Sequence, residues 1–274
     1  MNKIIAVFDG FNFSDILLQK VISIALINNC MISGIYLEDL NNKIPQISAD
    51  HSQNNFCGKV FVNDSDDRAS ALSRFEKACT TAGIHFKVHR DSDVAIHELL
   101  SESRYADLLI IAGSCEFSRN KESLTPHYLK NLFYRAECPV LLVPGKLHVI
   151  EGVSWLYDGS PGCLQALKML GYLLPFFHRL PLEVLIYGAF PAGNNLPCCH
   201  FIEELYIDHA SDVTFRNFIG HSSSKLFSYL RGHFGRNLLL SWASRPLDVV
   251  SEINNGMAGQ LLVNTEWPLL IVKQ

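Results

Sequence analysis

One pattern occurs twice in this chain and restricts the fold more than any other feature. Residues 107–114 (DLLIIAGS) form an unbroken apolar run that ends in small residues, which is typical of a strand buried on both faces. A polar segment, a helical pattern and a second apolar run at residues 137–143 (ECPVLLV) follow. The same order returns between residues 237 and 272, where residues 266–272 read EWPLLIV. We therefore interpret the chain as a tandem repeat.

Buried strands alternate with helices along both halves. In the first half we predict strands at residues 4–8, 31–37, 84–89, 107–114 and 140–143. In the second half we predict strands at residues 152–157, 182–187, 212–219, 237–241 and 266–272. Helical spacings of three and four lie between them, which is typical of right-handed crossovers between parallel strands. We expect an α/β chain with one domain at residues 1–146 and a second at residues 151–274.

A polar segment after the second strand is long for a connection in a compact unit. It covers residues 41–66 and precedes a helix that we predict at residues 67–82. Loops of this length are usually functional or mobile. Because the segment follows a strand, we expect it over the carboxyl ends of the sheet, as a lid for any ligand.

The composition excludes several classes of protein. Of the 274 residues, 48% are hydrophobic and 18% are charged, so we expect no disorder and enough apolar material for two cores. The net charge of −4, without a basic cluster, gives no basis for nucleic-acid binding. No apolar run approaches the ~18 residues of a membrane helix, and Asp9 comes too early for a signal peptide. Eight cysteines without a Cys-x-x-Cys spacing indicate reduced thiols and a cytoplasmic location.

Two Asp-Gly turns mark the starts of the repeats. Asp9 and Gly10 follow the first strand, and Asp158, Gly159 and Ser160 follow its counterpart in the second half. With the ECPVLLV and EWPLLIV strands, these turns make the whole chain resemble a tandem universal stress protein. The resemblance implies two doubly wound domains, each a five-stranded parallel sheet of order 3-2-1-4-5 with helices on both faces. It also implies that the two last strands meet, so that the chain is an intramolecular pseudo-dimer.

Ligands of such sheets bind at the carboxyl ends of strands one and four, where the strand order reverses. For the first crevice the candidate residues are Asp9, Gly10, Gly113 and Ser114. For the second they are Asp158, Gly159 and Ser160, with Ser241 nearby. In nucleotide-binding relatives the crevice holds ATP, with the aspartate near the adenosine and the phosphates on a glycine-rich loop. The glycines are needed because backbone N–H groups must closely approach the phosphate oxygens.

Both halves depart from that loop. In the first half Glu116 stands where a second glycine belongs, and Pro126, which has no N–H, lies near the later Gly-Ser position. In the second half the loop has no glycine, and the bulky Trp242 lies in the corresponding turn. We therefore expect a non-catalytic stress-response protein with degenerate ATP-binding loops and no cofactor. The alternative is an adenine-nucleotide-binding protein that keeps ATP and Mg²⁺ in one half, with weak ATPase or nucleotide-sensing activity.

Some residues retain two interpretations. Asp9 and Asp158 either bind a ligand or shape their turns by accepting hydrogen bonds from backbone N–H groups. Cys163, in the first turn of a predicted helix, either has a thiol pKa lowered by the helix terminus or is a small residue tolerated there. Residues 198–200 (CCH) raise a metal hypothesis, but their spacing matches no common zinc pattern, and we expect no metal site.

The partners that we expect are a small-molecule ligand or another protein. Neither nucleic acid nor a membrane is expected, for the reasons of charge and hydropathy given above. Homodimerisation of the chain stays open, because no sequence pattern decides it.

Overall fold

The chain folds around one ten-stranded sheet. The computed structural model describes residues 1–9, 13–37, 57–89, 96–113, 132–133, 135–146, 149–187, 199–206, 212–232, 236–243 and 267–273. The strand order is β3-β2-β1-β4-β5-β10-β9-β6-β7-β8. Each half therefore contributes five strands in the expected order 3-2-1-4-5.

The first half alternates strands and helices as predicted. Its elements are β1 (Lys3–Asp9), α1 (Asp15–Asn28), β2 (Met31–Leu37), α2 (Cys57–Thr81), β3 (Phe86–Val88), α3 (Ile96–Ser103), β4 (Leu108–Ala112) and β5 (Val140–Val143). Ser14 caps α1, because its Oγ accepts a hydrogen bond from the Leu17 N–H at 3.2 Å. The helix ends at Asn29, whose φ of 49° places it in the left-handed region.

The second half repeats this alternation. Its elements are β6 (Gly152–Tyr157), α4 (Pro161–Leu173), a short 3-10 turn (Phe177–Arg179), β7 (Leu182–Ile186), α5 (Cys199–Tyr206), β8 (Val213–Asn217), α6 (Ser223–Gly232), β9 (Asn237–Ala243) and β10 (Leu269–Lys273). All neighbouring strands of the sheet are parallel except β5 and β10, which are antiparallel. The expectation that the two last strands meet is confirmed. That residues 1–146 and 151–274 are separate domains stays a prediction.

The core lies on both faces of the middle of the sheet. Every residue of β4, β5 and β6 is buried, which agrees with their near-continuous apolar sequences. The edge strand β8 is largely exposed, and its sequence is accordingly more polar. Among the described residues, no helix combines the length and apolarity needed to span a bilayer.

Two predictions of element boundaries are wrong. Helix α2 begins at Cys57, ten residues before the predicted start, so residues 57–66 are helical and not a loop. The prediction of a loop is wrong over that part, the remainder lies outside the described residues, and the lid role of residues 41–66 stays a prediction. Strand β9 continues to Ala243, because β10 offers pairing partners as far as Lys273. Trp242 therefore lies in a strand, opposite Val272, and not in a turn.

A partly buried carboxylate joins four elements of the first half. Glu102 of α3 accepts hydrogen bonds from Lys3 Nζ at 2.6 Å and Ser33 Oγ at 2.7 Å, and His89 Nε2 lies 2.7 Å from its other oxygen. Burial favours the neutral acid, but the hydrogen bonds from Lys3 and Ser33 and the charges nearby outweigh it. The pKa of the Glu102 carboxyl therefore lies below its ordinary value of 4.5.

This network predicts a pH-dependent contribution to stability. Because the pKa of Glu102 is lowered by folding, its ionised form stabilises the protein fully above pH 4.5, and this stability is lost as the pH falls through the lowered pKa. Glu102→Gln should reduce the free energy of unfolding by about 1–3 kcal/mol at pH 7, since donors lose a charged acceptor. Urea unfolding at pH 7 and pH 3 measures this effect, which should be much smaller at pH 3.

The matched control is Glu151→Gln. Glu151 forms an exposed pair with Arg236 at 3.7 Å, so this change should cost less than about 1 kcal/mol at either pH. Equal effects of the two substitutions at pH 7, or an undiminished effect of Glu102→Gln at pH 3, would contradict the assignment.

Candidate functional site

The structure describes four of the seven candidate residues in full. Asp158, Gly159 and Ser160 lie together between β6 and α4, and Gly113 directly follows β4. Asp9 ends β1, but its side chain lies outside the described residues, as do Gly10 and Ser114. The second crevice can therefore be built from its atoms, and the first only from its strands.

The turn after β6 has the geometry that its sequence requires. Asp158 Oδ1 accepts a hydrogen bond from the Ser160 N–H at 2.9 Å, and Gly159 has a φ of 80°, which favours glycine. Ser160 Oγ then accepts from the Cys163 N–H at 3.3 Å, and Pro161 begins α4. One oxygen of Asp158 thus shapes the turn, as one of its two interpretations predicts.

The other oxygen of Asp158 is also taken by the protein. Trp242 Nε1 donates a hydrogen bond to Asp158 Oδ2 at 2.9 Å. The two residues can meet because β6 and β9 are neighbours in the sheet and both end at this edge. The contact lies between strands one and four of the second half, where the sheet order reverses and a ligand is expected.

The indole of Trp242 lies against the first turn of α4. A Cβ added to Gly162 would be 2.4 Å from Trp242 Cε3, which is far inside van der Waals contact. Only a glycine allows the ring to approach the helix backbone so closely. The first turn of a helix is also where an anionic ligand would approach free N–H groups. In this half an aromatic side chain lies there instead.

Burial raises the pKa of two side chains near the Trp242–Asp158 contact. Burial raises the pKa of the Cys163 thiol to about 11, and Cys163 Sγ donates to the Ser160 carbonyl at 2.8 Å. The hypothesis of a thiol with a lowered pKa is therefore wrong, because desolvation outweighs the helix terminus. Burial, and then the Asp158 carboxylate, also raises the pKa of the Tyr187 hydroxyl.

The first crevice is described at its strands. β1 pairs with β4, which places Val7 opposite Ile111 just before Asp9. The Gly113 N–H donates to the Val143 carbonyl at 2.8 Å, so this amide extends the sheet ladder and is not free for a phosphate. Phe13 and Tyr36 both stack on Phe8, with centroid distances of 5.1 and 5.4 Å, beside the carboxyl end of β1.

Sequence reasoning identified Trp242 as an obstacle but missed Gly162 and Tyr187. A glycine in the first turn of a predicted helix is a signal for close approach, which could have identified Gly162. Nothing in the sequence marks Tyr187, because its role depends on burial beside Asp158.

The metal hypothesis for residues 198–200 is not tested by the described side chains. Cys198 lies outside the described residues, and Cys199 and His200 begin α5 with side chains that also lie outside them. Within the described part of the chain, no group of three or more His, Cys, Asp and Glu side chains could hold a metal ion.

Comparisons with known proteins find a likeness of structure without a likeness of sequence. Neither a protein-family model nor a curated protein sequence matches the chain. The structure is similar to the crystal structure of a universal stress protein from Archaeoglobus fulgidus DSM 4304, with a TM-score of 0.67. The match covers 98% of this chain and 96% of that chain at 13% sequence identity. The chain therefore has the mixed α/β fold of a universal stress protein.

The contact between Gly162 and Trp242 predicts that Gly162→Ala has opposite effects on the free energy of unfolding in the wild type and in a Trp242→Ala background. Gly162→Ala should destabilise the wild type by about 1–3 kcal/mol, because the new methyl group displaces the indole. In a Trp242→Ala background the same change should stabilise by up to about 1 kcal/mol, because alanine favours helix. Urea unfolding of the four variants measures both effects.

Gly232→Ala provides the matched control. A Cβ at Gly232, the last residue of α6, would meet nothing within 4 Å, so its effect should not depend on Trp242. An equal destabilisation by Gly162→Ala in both backgrounds would show that the indole does not pack there.

Proposed function

We propose that this chain is a non-catalytic regulatory protein of the stress response, in which the second ligand crevice is closed by the chain itself. The hydrogen bond from Trp242 Nε1 to Asp158 Oδ2 carries this proposal. The fold likeness to a universal stress protein supports the assignment to the stress response.

Closure of the second crevice has two parts that act together. Both oxygens of Asp158 accept hydrogen bonds from within the chain. The indole covers the first turn of α4 above Gly162, next to the aspartate near which nucleotide-binding relatives hold the adenosine. A nucleotide could enter only by displacing the indole, whose hydrogen bond to the Asp158 carboxylate contributes about 1.5–3 kcal/mol. Losing that bond would weaken binding by at least about tenfold.

We propose that the first crevice has also lost its phosphate-binding loop. Two sequence positions and one hydrogen bond support this. The Gly113 amide is used by the sheet, Glu116 would repel a phosphate, and Pro126 lacks an N–H. A protein with two altered crevices would act through partners or through a ligand other than a nucleotide. Catalysis is not required to explain any described contact, and we propose that the chain is not an enzyme.

The alternative function is adenine-nucleotide binding in the first half. Asp9 at the end of β1, beside β4, is the position at which such relatives hold the adenosine. This alternative and the proposed function make opposite predictions for the purified protein.

Thermal unfolding with and without Mg-ATP distinguishes them. A nucleotide at about a hundred times its Kd stabilises a protein by about 2.7 kcal/mol, which is roughly 5–10 °C in Tm for a chain of this size. We expect no shift for the wild type, and no adenine nucleotide released when the purified protein is denatured.

Two variants assign any shift that does occur. A shift that Asp9→Asn abolishes and Asp158→Asn leaves intact would establish the alternative, with a nucleotide in the first half. A shift that Asp158→Asn abolishes would contradict the proposed closure of the second crevice.

A further inference from the structure

A cleft crosses the seam between the two halves, away from both crevices. It has a volume of 330 Å³ and lies between α1 on one side and the end of α4 with the following 3-10 turn on the other. Leu238 at the start of β9 and Ile150 just before β6 contribute to it, whereas Asp158 follows the other end of β6. The cleft is therefore a separate site, and an inference about it does not depend on the nucleotide question.

The cleft combines a buried apolar floor with an exposed apolar rim. Leu141, Leu142 and Leu174 of the lining are buried. Ile27 and Phe176 at the rim are 61% and 58% exposed. Exposed large apolar side chains that gather around a concave surface, and are not scattered singly, mark binding sites.

The polar lining residues favour a ligand with a negative charge. Ser23 Oγ donates to the Gln19 carbonyl at 2.8 Å, and Asn28 Nδ2 donates to the Ile24 carbonyl at 3.0 Å, so both are satisfied within α1. Lys20 is the one charged side chain among the described residues that line the cleft. It forms no hydrogen bond or ion pair within the described part of the chain. No carboxylate of the described lining neutralises it.

We propose that this cleft binds a free medium-chain fatty acid, with its alkyl chain on the leucine floor and its carboxylate at the Lys20 ammonium. Lys20, Ser23 and Ile27 lie at helical positions i, i+3 and i+7, so one face of α1 presents the cation and the apolar wall together. Among the described lining residues Lys20 is the one cation, and a cation beside an apolar cleft complements an amphipathic anion better than a neutral or cationic ligand.

The size of the cleft limits the length of the alkyl chain. Its volume lies at the lower end of the range of about 300–1,000 Å³ that ligand pockets cover. Each buried methylene should tighten binding about fourfold until the cleft is filled, and further methylenes should then have little effect. A plateau in affinity along a series of chain lengths is therefore expected.

Isothermal titration calorimetry of the full chain with hexanoate, octanoate, decanoate and laurate, each below its micellar concentration, tests the proposal. The affinity should rise along the series and then level off. Decanol serves as the uncharged probe. Lys20→Met should weaken decanoate about fivefold and leave decanol unchanged, because the ion pair is lost and the apolar contacts remain.

Substitution by glutamate at two neighbouring positions of α1 provides a pair of matched variants. Ile27→Glu places a negative charge, like that of decanoate, at the rim and removes apolar area there. It should therefore weaken the binding of decanoate about tenfold. Leu26→Glu introduces the same charge at a 55% exposed residue that does not line the cleft, and it should leave binding within about twofold. Circular dichroism confirms that both variants are folded.

The proposal is wrong if decanoate does not bind, or if the two glutamate variants weaken it equally, which would indicate nonspecific adsorption. It is also wrong if Lys20→Met weakens decanol as much as decanoate. Sedimentation that shows a ligand-independent dimer, dissociated by Ile27→Glu and not by Leu26→Glu, would assign the cleft to a second copy of the chain and overturn the proposal.

Discussion

The antiparallel pairing of β5 with β10 determines how the two halves are arranged. Each half would otherwise end in a buried apolar strand with an unpaired edge, which is a site for aggregation. Leu142 and Leu141 pair with Leu269 and Leu270, so the two edges protect each other in one sheet. Because this pairing is antiparallel while all others are parallel, the carboxyl ends of the two halves point in opposite directions. The two crevices therefore lie at opposite ends of the sheet's strands. The proposed fatty-acid cleft lies where the two halves meet.

The second crevice keeps the frame of a ligand site and fills it with a side chain. The topology brings β6, β9 and the start of α4 together, and Asp158 is placed where the strand order reverses. Trp242 then supplies both a donor for the carboxylate and a flat apolar surface over Gly162. Such a contact lowers the free energy of the empty protein, and a ligand must overcome it. Burial also raises the pKa of the nearby Cys163 thiol and Tyr187 hydroxyl.

Local sequence signals predicted most of the fold but little of the site. The apolar runs predicted the strands because strands buried on both faces have near-continuous apolar sequences. The start of α2 was missed because residues 57–66 include a glycine, two valines and a run of Asn, Asp and Ser, all of weak helix propensity. The contact of Trp242 with Gly162, and the cleft beside Lys20, join segments far apart in the chain. A local signal marks Gly162 as a position of close approach, but neither its partner nor the cleft follows from local sequence.

The exchange of the Trp242 indole proton is the most direct test of the central claim, that the second crevice is closed from within. In the full chain labelled with ¹⁵N-tryptophan, three indole signals are expected, and Trp242→Phe assigns the one of interest. A proton that a partly buried indole donates to a carboxylate should exchange with water more slowly than that of an exposed indole, and its signal should not move when Mg-ATP is added. Rapid exchange, together with a shift of that signal on adding Mg-ATP, would show that the indole is displaced and would contradict the account.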